Sequence, residues 1–537
     1  MSWLRLLARR ECFRLSPAAV THPIPPDITV CSECELQTLV VSIHFQELSF
    51  VKQFSLFSLG CRREGEPPLI NGWIPYIGKA LEFGQDANRF LDKHKRKFGD
   101  IFTVQMAGKY MTFVMDPLLF PNIIKHGRQL DFHEFSNKVA PMTFGYPPTN
   151  SGKFPHMQEQ ISRSFQLLQG DNLTVLTESM MGNLMLLLRQ DYLGEGAGRE
   201  GCWRKSRMYE FCNSLMFEAT FLTMYGRPVT APRHSGTSDL REDFARFDSM
   251  FPLLIAQIPI GLLRRTKTIR QKLINYFLPH RMSCWSHTSQ FIKRRSEVLE
   301  QYDTLRDTDK AAHHFAILWA SVGNTIPACF WSMYYLVSHP EALEVVRQEI
   351  HDVLKLSEVE FSSDRDVTLS REQLDKLLFL ESAINESLRL SSASMNIRVV
   401  QEDFSLRLNA ERSVAVRKGD IIALYPQSMH MDPEIYEEPQ TFRLDRYIQD
   451  GREKTDFFKD GQKLKYYLMP FGSGSSMCPG RYFAINEIKQ FLCMMLLYFD
   501  LQLEAGQSRA TLDSSRAGLG ILLPAQDVSF RYRLRAV

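Results

Sequence analysis

A mainly α-helical fold with a small β portion, class α+β, is what the sequence predicts. Helical periodicity dominates the chain, as in the segments Ala80–Lys97 and Leu173–Leu188. Strand-like runs are few and short, and Ile101–Met106 is an example. With 44% hydrophobic and 23% charged residues among 537, the chain has the composition of a globular protein with an ample core. Most of that core should therefore lie between helices.

The β portion is predicted from four short runs. Ile101–Met106 and Tyr110–Met115 come early, and alternation of apolar and polar residues returns at Phe404–Leu408 and Ile421–Leu424. The sequence contains no internal repeat and no low-complexity tract. These features predict short strands beside a larger helical body rather than a repeat architecture.

Charge and cysteine content argue against two classes of protein. The net charge of +3 is small, and no basic block or zinc-finger spacing is present, so nucleic acid is not an expected partner. The ten cysteines are scattered, unlike a disulfide framework, and indicate a reduced, cytosol-facing protein. Cys31 and Cys34 form a CxxC pair, but no second pair stands at zinc spacing, which argues against a metal site there.

The N-terminal segment differs in character from the rest of the chain. Met1–Arg14 is basic and rich in arginine, as in a targeting segment, although an unstructured terminus is an equal alternative. Leu36–Leu59 is apolar but contains charged residues, so it falls short of a membrane-spanning helix. From Cys61 onward the pattern is regular. We therefore expect an atypical segment over 1–60 and one domain over 61–537.

Cys478 lies in a tight, glycine-bounded loop before an apolar helix, in the pattern Phe471-x-x-Gly474-x-x-x-Cys478-x-Gly480. A thiolate that ligates a metal beside a large flat cofactor needs this arrangement. The glycines permit positive φ and close approach of the backbone, and the helix N-terminus stabilises sulfur as an anion. A buried free cysteine near a helix cap is the alternative. The pattern favours the metal-ligating thiolate.

This run, together with Glu487 downstream, resembles the haem-binding loop of the cytochromes P-450, the haem-thiolate monooxygenases. The resemblance implies the P-450 fold, with haem b buried between a long central helix and the cysteine loop. It also implies that Cys478 is the axial ligand of the haem iron and that Phe471, Gly474 and Gly480 belong to the cofactor site.

Three charged residues are implied to brace that loop. Glu386 and Arg389 stand three apart on a predicted helix, Leu374–Leu390, so their side chains share one face and can pair. Alone, such a pair is more often a solvated surface pair. Arg446 lies in the run 442–447, and the resemblance implies that the three charges form a buried cluster behind the cysteine loop.

A long apolar helix over Phe315–Trp331 carries the second chemical element. Pro327 inside it removes an intrahelical hydrogen bond, so we expect a kink or a widened turn. The resemblance implies that this helix crosses over the haem and that the Thr325 hydroxyl helps to deliver protons during oxygen activation. Back-bonding of that hydroxyl to a helix carbonyl is the alternative. Asn324 stands where an acid is commoner, and its amide could bond a substrate oxygen or lie in the proton path.

Two further departures from the family pattern concern the haem propionates. Ser476 stands where many cytochromes P-450 have a basic residue, and no tryptophan–arginine pair is evident around Gln158–Leu168. The sequence therefore does not identify the residues that bind the haem propionates.

Several segments, among them Trp319–Phe330, Asp420–Pro426 and Lys463–Gln490, resemble sterol-hydroxylating members of the family. The resemblance implies a monooxygenase that hydroxylates cholesterol at the 7-alpha position, the first step of bile-acid synthesis. Oxysterol 7-alpha-hydroxylation and sterol 12-alpha-hydroxylation are alternatives. A haem isomerase of the prostacyclin-synthase type and a non-catalytic sterol-binding or haem-sensing protein are further alternatives.

The resemblance also implies the partners. Electrons are expected from NADPH through NADPH–cytochrome P-450 reductase, and the substrate is expected to be a sterol. The protein is expected to be a monomer on the endoplasmic reticulum membrane, with the catalytic domain facing the cytosol. Lys463, Lys465 and Lys489 flank the cysteine loop in sequence and are expected to offer a basic surface to the acidic reductase.

Overall fold

The computed structural model describes residues 64–74, 77–150, 152–193, 202–228, 237–358 and 366–535. The predicted class, mainly α with a small β portion, is confirmed. The predictions for Met1–Arg14, for the CxxC pair and for Leu36–Leu59 lie outside the described residues. Within the described ranges, no helix combines the length and the apolar character that crossing a membrane requires.

Helices form most of the molecule. In chain order they are α1 (Ala80–Gln85), α2 (Ala87–Phe98), α3 (Phe120–Ile124), α4 (His133–Phe144), α5 (Met157–Ser164), α6 (Asp171–Leu188), α7 (Met208–Tyr225), α8 (Thr237–Asp248), α9 (Phe251–Ile255), α10 (Arg264–Tyr276), α11 (Pro279–Met282), α12 (Gln290–Glu300), α13 (Asp307–Val322), α14 (Thr325–Ser338), α15 (Pro340–Leu356), α16 (Arg371–Leu374), α17 (Leu378–Ser391), α18 (Pro426–His430) and α19 (Arg481–Tyr498).

The strands are short. They are β1 (Leu69–Ile70), β2 (Ile101–Met106), β3 (Lys109–Val114), β4 (Leu130–Asp131), β5 (Arg204–Arg207), β6 (Arg227–Pro228), β7 (Trp285–Ser286), β8 (Asn396–Val400), β9 (Phe404–Arg407), β10 (Ser413–Val416), β11 (Ile421–Leu424), β12 (Ile448–Gln449), β13 (Arg452–Glu453), β14 (Phe458–Lys459), β15 (Gln462–Lys463), β16 (Phe499–Leu503) and β17 (Ser529–Leu534). All four strand predictions are confirmed, as β2, β3, β9 and β11.

The largest sheet has six strands in the order β1-β2-β3-β11-β8-β4. Strands β2 and β3 form an antiparallel hairpin in which Thr103 faces Thr112. Strand β11 then pairs in parallel with β3 and antiparallel with β8. The central position of β11 brings β8, which follows the helix α17, into the same sheet as the early hairpin.

The main apolar core lies between helices, as the composition predicts. Helices α7, α17 and α19 all pack against α14, and fully buried side chains such as Phe217, Trp331 and Met494 fill the space between them. Smaller apolar clusters cover the faces of the six-stranded sheet. Because the cysteine loop immediately precedes α19, this packing brings the loop close to α14.

Two predicted helices are shorter than expected because carboxylates cap the helices that follow. Asp86 separates α1 from α2 in an extended conformation, and its side chain accepts the backbone N–H of Arg89 at 3.0 Å. The helix predicted from Leu374 begins four residues later. There the Glu349 carboxylate accepts two backbone N–H groups of the first turn of α17, at 2.8 and 3.0 Å.

The central helix is interrupted between α13 and α14, at Gly323 and Asn324. Pro327 has no N–H group to donate to the carbonyl of Gly323, so the regular pattern fails at that turn. The helix resumes at Thr325. Regular hydrogen bonding returns at Ala328, whose N–H donates to the backbone carbonyl of Asn324 at 3.1 Å. The predicted effect of the proline is confirmed, in the form of a break.

Candidate active site

A cavity of about 940 Å³ lies between the central helix and the loop that precedes α19. Phe471, Cys478 and Gly480 line it from the loop, and Asn324 and Thr325 line it from the break in the helix. The structure therefore brings five of the predicted site residues around one space. Much of the remaining wall is apolar; examples are Phe83, Phe135, Val139, Phe144, Ile317 and Leu519.

The cysteine loop is closed by its own backbone, since the N–H of Cys478 donates to the carbonyl of Phe471 at 2.8 Å. Gly474 has φ of +56°, and a Cβ there would lie 2.6 Å from Cγ2 of Ile124. The predicted positive φ is confirmed at Gly474 but is wrong at Gly480, whose φ is −91° because it is the N-cap of α19. A Cβ on Gly480 would lie 4.0 Å from Sγ of Cys478, an ordinary van der Waals contact, so the tight packing of the loop is found at Gly474.

Burial raises the pKa of the Cys478 thiol, and the N–H of Gly480 and the guanidinium of Arg481 act in the opposite direction. A thiolate in this loop therefore becomes the stable form at neutral pH only when a further positive charge, such as a metal ion, binds to it.

Glu386, Arg389 and Arg446 form a buried ion cluster, as predicted. Both side chains of the first pair are inaccessible to solvent, with Nε of Arg389 2.7 Å from Oε2 of Glu386. Nε of Arg446 donates to Oε1 of the same carboxylate at 2.7 Å. Burial alone would lower the pKa of Arg389, but the hydrogen bonds and the charge of Glu386 raise it above its ordinary value. Arg389 therefore keeps its positive charge inside the core.

The ion cluster reaches the backbone upstream of the cysteine loop through two side chains. Nη1 of Arg389 donates to the carbonyl of His430 at 2.5 Å, and Nε2 of His430 accepts the backbone N–H of Met469 at 3.1 Å. Burial lowers the pKa of His430 to about 3, so the ring stays neutral and keeps this acceptor. The hydroxyl of Tyr436, whose ring lies 4.8 Å from the Arg389 guanidinium, donates to the carbonyl of Tyr467 at 2.5 Å.

Thr325 is buried in the first turn of α14 and hydrogen-bonds to Glu487 of α19. Oγ1 of Thr220, on α7, donates to Oε2 of the same carboxyl group at 2.9 Å. One carboxyl group thus joins three helices. Burial raises the pKa of Glu487 to about 8, while the two hydroxyls act in the opposite direction. Sequence reasoning noted Glu487 only for its place after the loop, because its contact with Thr325 depends on how α14 and α19 pack.

Asn324 lies at the break itself and extends across to the C-terminal part of the chain. Its Oδ1 accepts the backbone N–H of Ile521 at 2.9 Å. The side-chain oxygen that the sequence offered to a substrate is therefore engaged by the protein.

Comparison with known proteins agrees with this geometry: residues 67–531 match the family model described as Cytochrome P450. The chain belongs to the cytochrome P450 family. It is 43% identical over 475 residues to "Cytochrome P450 7B1" of Mus musculus, which covers 88% of this chain and 92% of that protein.

Two further relatives of this P450 have names that state a reaction. "Cholesterol 7-alpha-monooxygenase" of Cricetulus griseus is 42% identical over 488 residues, covering 89% of this chain and 96% of that protein. "25-hydroxycholesterol 7-alpha-hydroxylase" of Rattus norvegicus is 41% identical over 421 residues, covering 78% of this chain and 99% of that protein. The P450 is thus an oxidoreductase of the monooxygenase class, similar to sterol hydroxylases.

Membership of the P450 family implies a haem-thiolate cofactor, and the buried donors of the cavity fit one. Arg398 of β8 is buried and lines the cavity, and among the described residues it forms no salt bridge. Burial lowers the pKa of Arg398. Nδ2 of Asn396, also on the cavity wall, is buried and has no hydrogen-bond partner among the residues that the structure describes. The guanidinium of Arg398 donates to two backbone carbonyls but has no carboxylate partner among those residues. A haem propionate would balance its charge and would accept a hydrogen bond from Nδ2 of Asn396.

Arg398 was missed by sequence reasoning, although an arginine flanked by Ile397 and Val399 in a short apolar run is a signal, and the structure buries the whole strand. The two positions that the sequence did consider supply no buried cation. Ser476 donates its hydroxyl to the carbonyl of Ser473 at 2.9 Å, and Arg163 of α5 is exposed and pairs with Glu159. Arg398 Nη2 donates to the same Ser473 carbonyl at 2.9 Å, which places the cation beside the cysteine loop.

Two of the three lysines expected on a basic surface of the P450 are exposed, namely Lys463 and Lys465. The expectation for Lys489 is wrong. This residue lies on the buried face of α19 and donates to the carbonyl of Leu374 and to the carboxylate of Glu381, each at 2.9 Å. Its position in the helical period turns it towards neighbouring helices, so a partner protein cannot contact it.

Proposed function

We propose that this P450 hydroxylates cholesterol at the 7-alpha position, the first step of bile-acid synthesis. The observation that carries the proposal is the large, mostly apolar cavity between the Cys478 loop and the helix break at Thr325. A sterol is a rigid apolar body with few oxygen atoms, and a cavity with an apolar wall and a few polar groups suits it. The name of the relative that is 42% identical over most of the chain supports the choice of cholesterol.

In this proposal haem b, when bound, supplies the oxidation chemistry, and the chain holds the group in place. Cys478 would be the axial ligand of the iron. Phe471, Gly474 and Gly480 would shape the loop around the cofactor, and Arg398 would bind a propionate. These roles agree with the closed loop, with the tight packing at Gly474 and with the buried Arg398 guanidinium, which has no carboxylate partner among the described residues.

Glu386, Arg389 and Arg446 would keep the cysteine loop in its geometry from behind, through the His430 contact with the backbone. On the other side of the cavity, Thr325 would hold a proton at its hydroxyl and exchange it with the Glu487 carboxyl. Burial keeps a proton on that carboxyl at neutral pH, which suits a donor.

The proposal includes the partners that a sterol monooxygenase needs. Electrons would come from NADPH through NADPH–cytochrome P-450 reductase. Lys463 and Lys465, which are exposed and precede the cysteine loop in sequence, would contribute positive charge towards an acidic surface of the reductase, although Lys463 also pairs with Asp456. The catalytic domain would span 61–537 and act as a monomer on the endoplasmic reticulum membrane, with the segment 1–60 outside it.

The test is to express the haem-loaded protein, record the carbon monoxide difference spectrum and measure turnover of cholesterol with the reductase and NADPH. The expected result is a thiolate-type spectrum and formation of 7-alpha-hydroxycholesterol that requires NADPH. A normal spectrum without any sterol product under these conditions would contradict the proposal.

Oxysterol 7-alpha-hydroxylation is the second candidate, favoured by the 41% identity to the 25-hydroxycholesterol enzyme over nearly the whole of that protein. The ratio of kcat/KM for cholesterol and 25-hydroxycholesterol decides between the two. Product analysis in the same assay reports any 12-alpha-hydroxylation.

A further inference from the structure

Residues 517–521, here called the wall segment, form part of the cavity lining. The segment contains two glycines with positive φ, Gly518 at +93° and Gly520 at +113°. Backbone hydrogen bonds attach it to the residues after α17. The N–H of Gly518 donates to the carbonyl of Ala393 at 2.7 Å, and the N–H of Ala393 donates to the carbonyl of Gly520 at 2.9 Å. The backbone of the wall segment is thus held on one side by Ala393.

The other edge of the wall segment faces the central helix and is held by a side chain. The N–H of Ile521, a buried residue, donates to Oδ1 of Asn324 at 2.9 Å. A Cβ built on Gly520 would lie 2.2 Å from the same Oδ1, so the amide packs directly on the glycine and leaves no room for a larger residue. Asn324 and Gly520 therefore form one tight joint between the helix break and the wall.

The helix break explains why this side chain is free to reach across. Asn324 occupies the N-cap position of α14, where an asparagine usually accepts an N–H group of its own helix, yet it makes no such bond. The third residue of the helix is Pro327, which has no N–H to offer. Because Pro327 offers no N–H, the side-chain oxygen of Asn324 accepts instead the N–H of Ile521, which is distant in sequence.

We propose that Asn324 is a positioning residue that fixes the wall segment against the central helix and thereby sets the shape of the sterol site. The part of the proposal that concerns sterols rests on the proposed function. The side chain acts as an acceptor for Ile521; it neither donates to the substrate nor carries a proton. The wall then presents Leu519 and Ile521 to the apolar body of the sterol in one arrangement.

A second attachment shows that the effect of losing this joint should be local. Arg516, just before the wall segment, lies 3.1 Å from the carboxylate of Asp248, and Asp248 also accepts the indole N–H of Trp319 at 2.9 Å. The segment thus stays tied to α8 and α13 when the Asn324 contact is removed. We expect a loosened wall in an otherwise folded enzyme.

The test compares Asn324→Ala with Asn324→Asp in the haem-loaded, sterol-free protein. Aspartate keeps an acceptor for the Ile521 N–H but has no amide donor. Hydrogen exchange at the Ile521 amide should be at least about tenfold faster in the alanine variant and close to wild type in the aspartate variant. If hydrogen exchange at the Ile521 amide is unchanged in Asn324→Ala, the proposal that Asn324 holds the wall segment is refuted. Gly520→Ala places a methyl group against Oδ1 of Asn324, so it should displace this acceptor and also speed hydrogen exchange at the Ile521 amide.

Sterol titration by the haem spectral shift tests the consequence for binding. Affinity should fall roughly three- to tenfold in Asn324→Ala and remain near wild type in Asn324→Asp. Equal loss in both variants, with exchange at Ile521 unchanged in Asn324→Asp, would show that the amide donates to the sterol and would overturn the acceptor role. Failure of wild type to bind any sterol would refute the proposed function, while the exchange measurement would still decide whether the joint exists.

Discussion

Two parts of the cavity wall, the cysteine loop and the wall segment, are held in place in different ways. Behind the cysteine loop, a carboxylate and two guanidinium groups are buried together and reach the loop through His430. The wall segment instead depends on backbone hydrogen bonds and on the neutral amide of Asn324. A buried charge that loses its partner costs far more than a neutral group that loses one hydrogen bond.

This difference separates folding from selectivity. Changes in the ion cluster behind the loop should act on haem retention and stability, because they leave a buried charge without its partner. Changes along the helix break should leave a folded enzyme and alter what it binds or how well it couples reduction to product. The following predictions test this separation, from the largest expected effect to the smallest.

Cys478→Ser should abolish the thiolate-type spectrum and all sterol turnover, because a hydroxyl cannot replace the soft anionic ligand that a haem thiolate needs. The measurement is the carbon monoxide difference spectrum of the purified variant. Cys493→Ala is the matched control, since this buried cysteine lies on the far turns of α19 and should leave the spectrum intact. A thiolate-type spectrum retained in Cys478→Ser would refute the assignment of the ligand.

Glu386→Gln and Arg389→Ala should each lower the free energy of unfolding by about 3–5 kcal/mol, since each leaves a buried charge unpaired. Poor haem retention is the expected first sign, measured as the haem-to-protein ratio and by denaturant unfolding. The exposed pair of Arg163 and Glu159 gives a control of the same chemistry at the surface, where Arg163→Ala should cost only about 0.3–0.5 kcal/mol. Equal losses in the two pairs would show that burial plays no part.

Glu487→Gln should change how stability depends on pH. The pKa of this carboxyl is raised by burial from about 4.5 when unfolded to about 8 when folded, so the folded state holds the proton more tightly. Its contribution is present below the unfolded pKa and is lost as pH rises through this window, at about 1.4 kcal/mol for each pH unit. Wild type should lose on the order of 2 kcal/mol between about pH 6 and about pH 8, and the variant should lose less. Parallel unfolding curves against pH in both proteins would contradict this.

Thr325→Ala should bind sterol with near-normal affinity but waste reducing equivalents, because the hydroxyl that holds the proton is gone. The ratio of product formed to NADPH consumed should fall roughly tenfold. Thr325→Ser keeps the hydroxyl and should restore most of the coupling. If Thr325→Ala lost affinity and kept its coupling, the residue would belong to the sterol wall rather than to the proton path.

Local patterns predicted much of the structure correctly. The period of the apolar residues identified the helical class, and four runs of alternation became β2, β3, β9 and β11. The spacing of Glu386 and Arg389 placed both on one helix face, since residues three apart are neighbours there. The errors at α1 and α17 arose where a carboxylate capped the following helix, and one of these carboxylates, Glu349, comes from a different helix.

By itself, the sequence determined the tight cysteine loop, the shared helix face of Glu386 and Arg389 and the break in the central helix, because glycine, proline and i,i+3 spacing act over a few residues. Only the tertiary structure decided which distant groups meet. It turned Arg398 of a buried strand towards the cavity, removed Lys489 from the surface, and paired Thr325 with Glu487 and Asn324 with Ile521. These contacts join elements that are remote in the chain, and their partners are chosen by the packing of helices and sheet rather than by local preference.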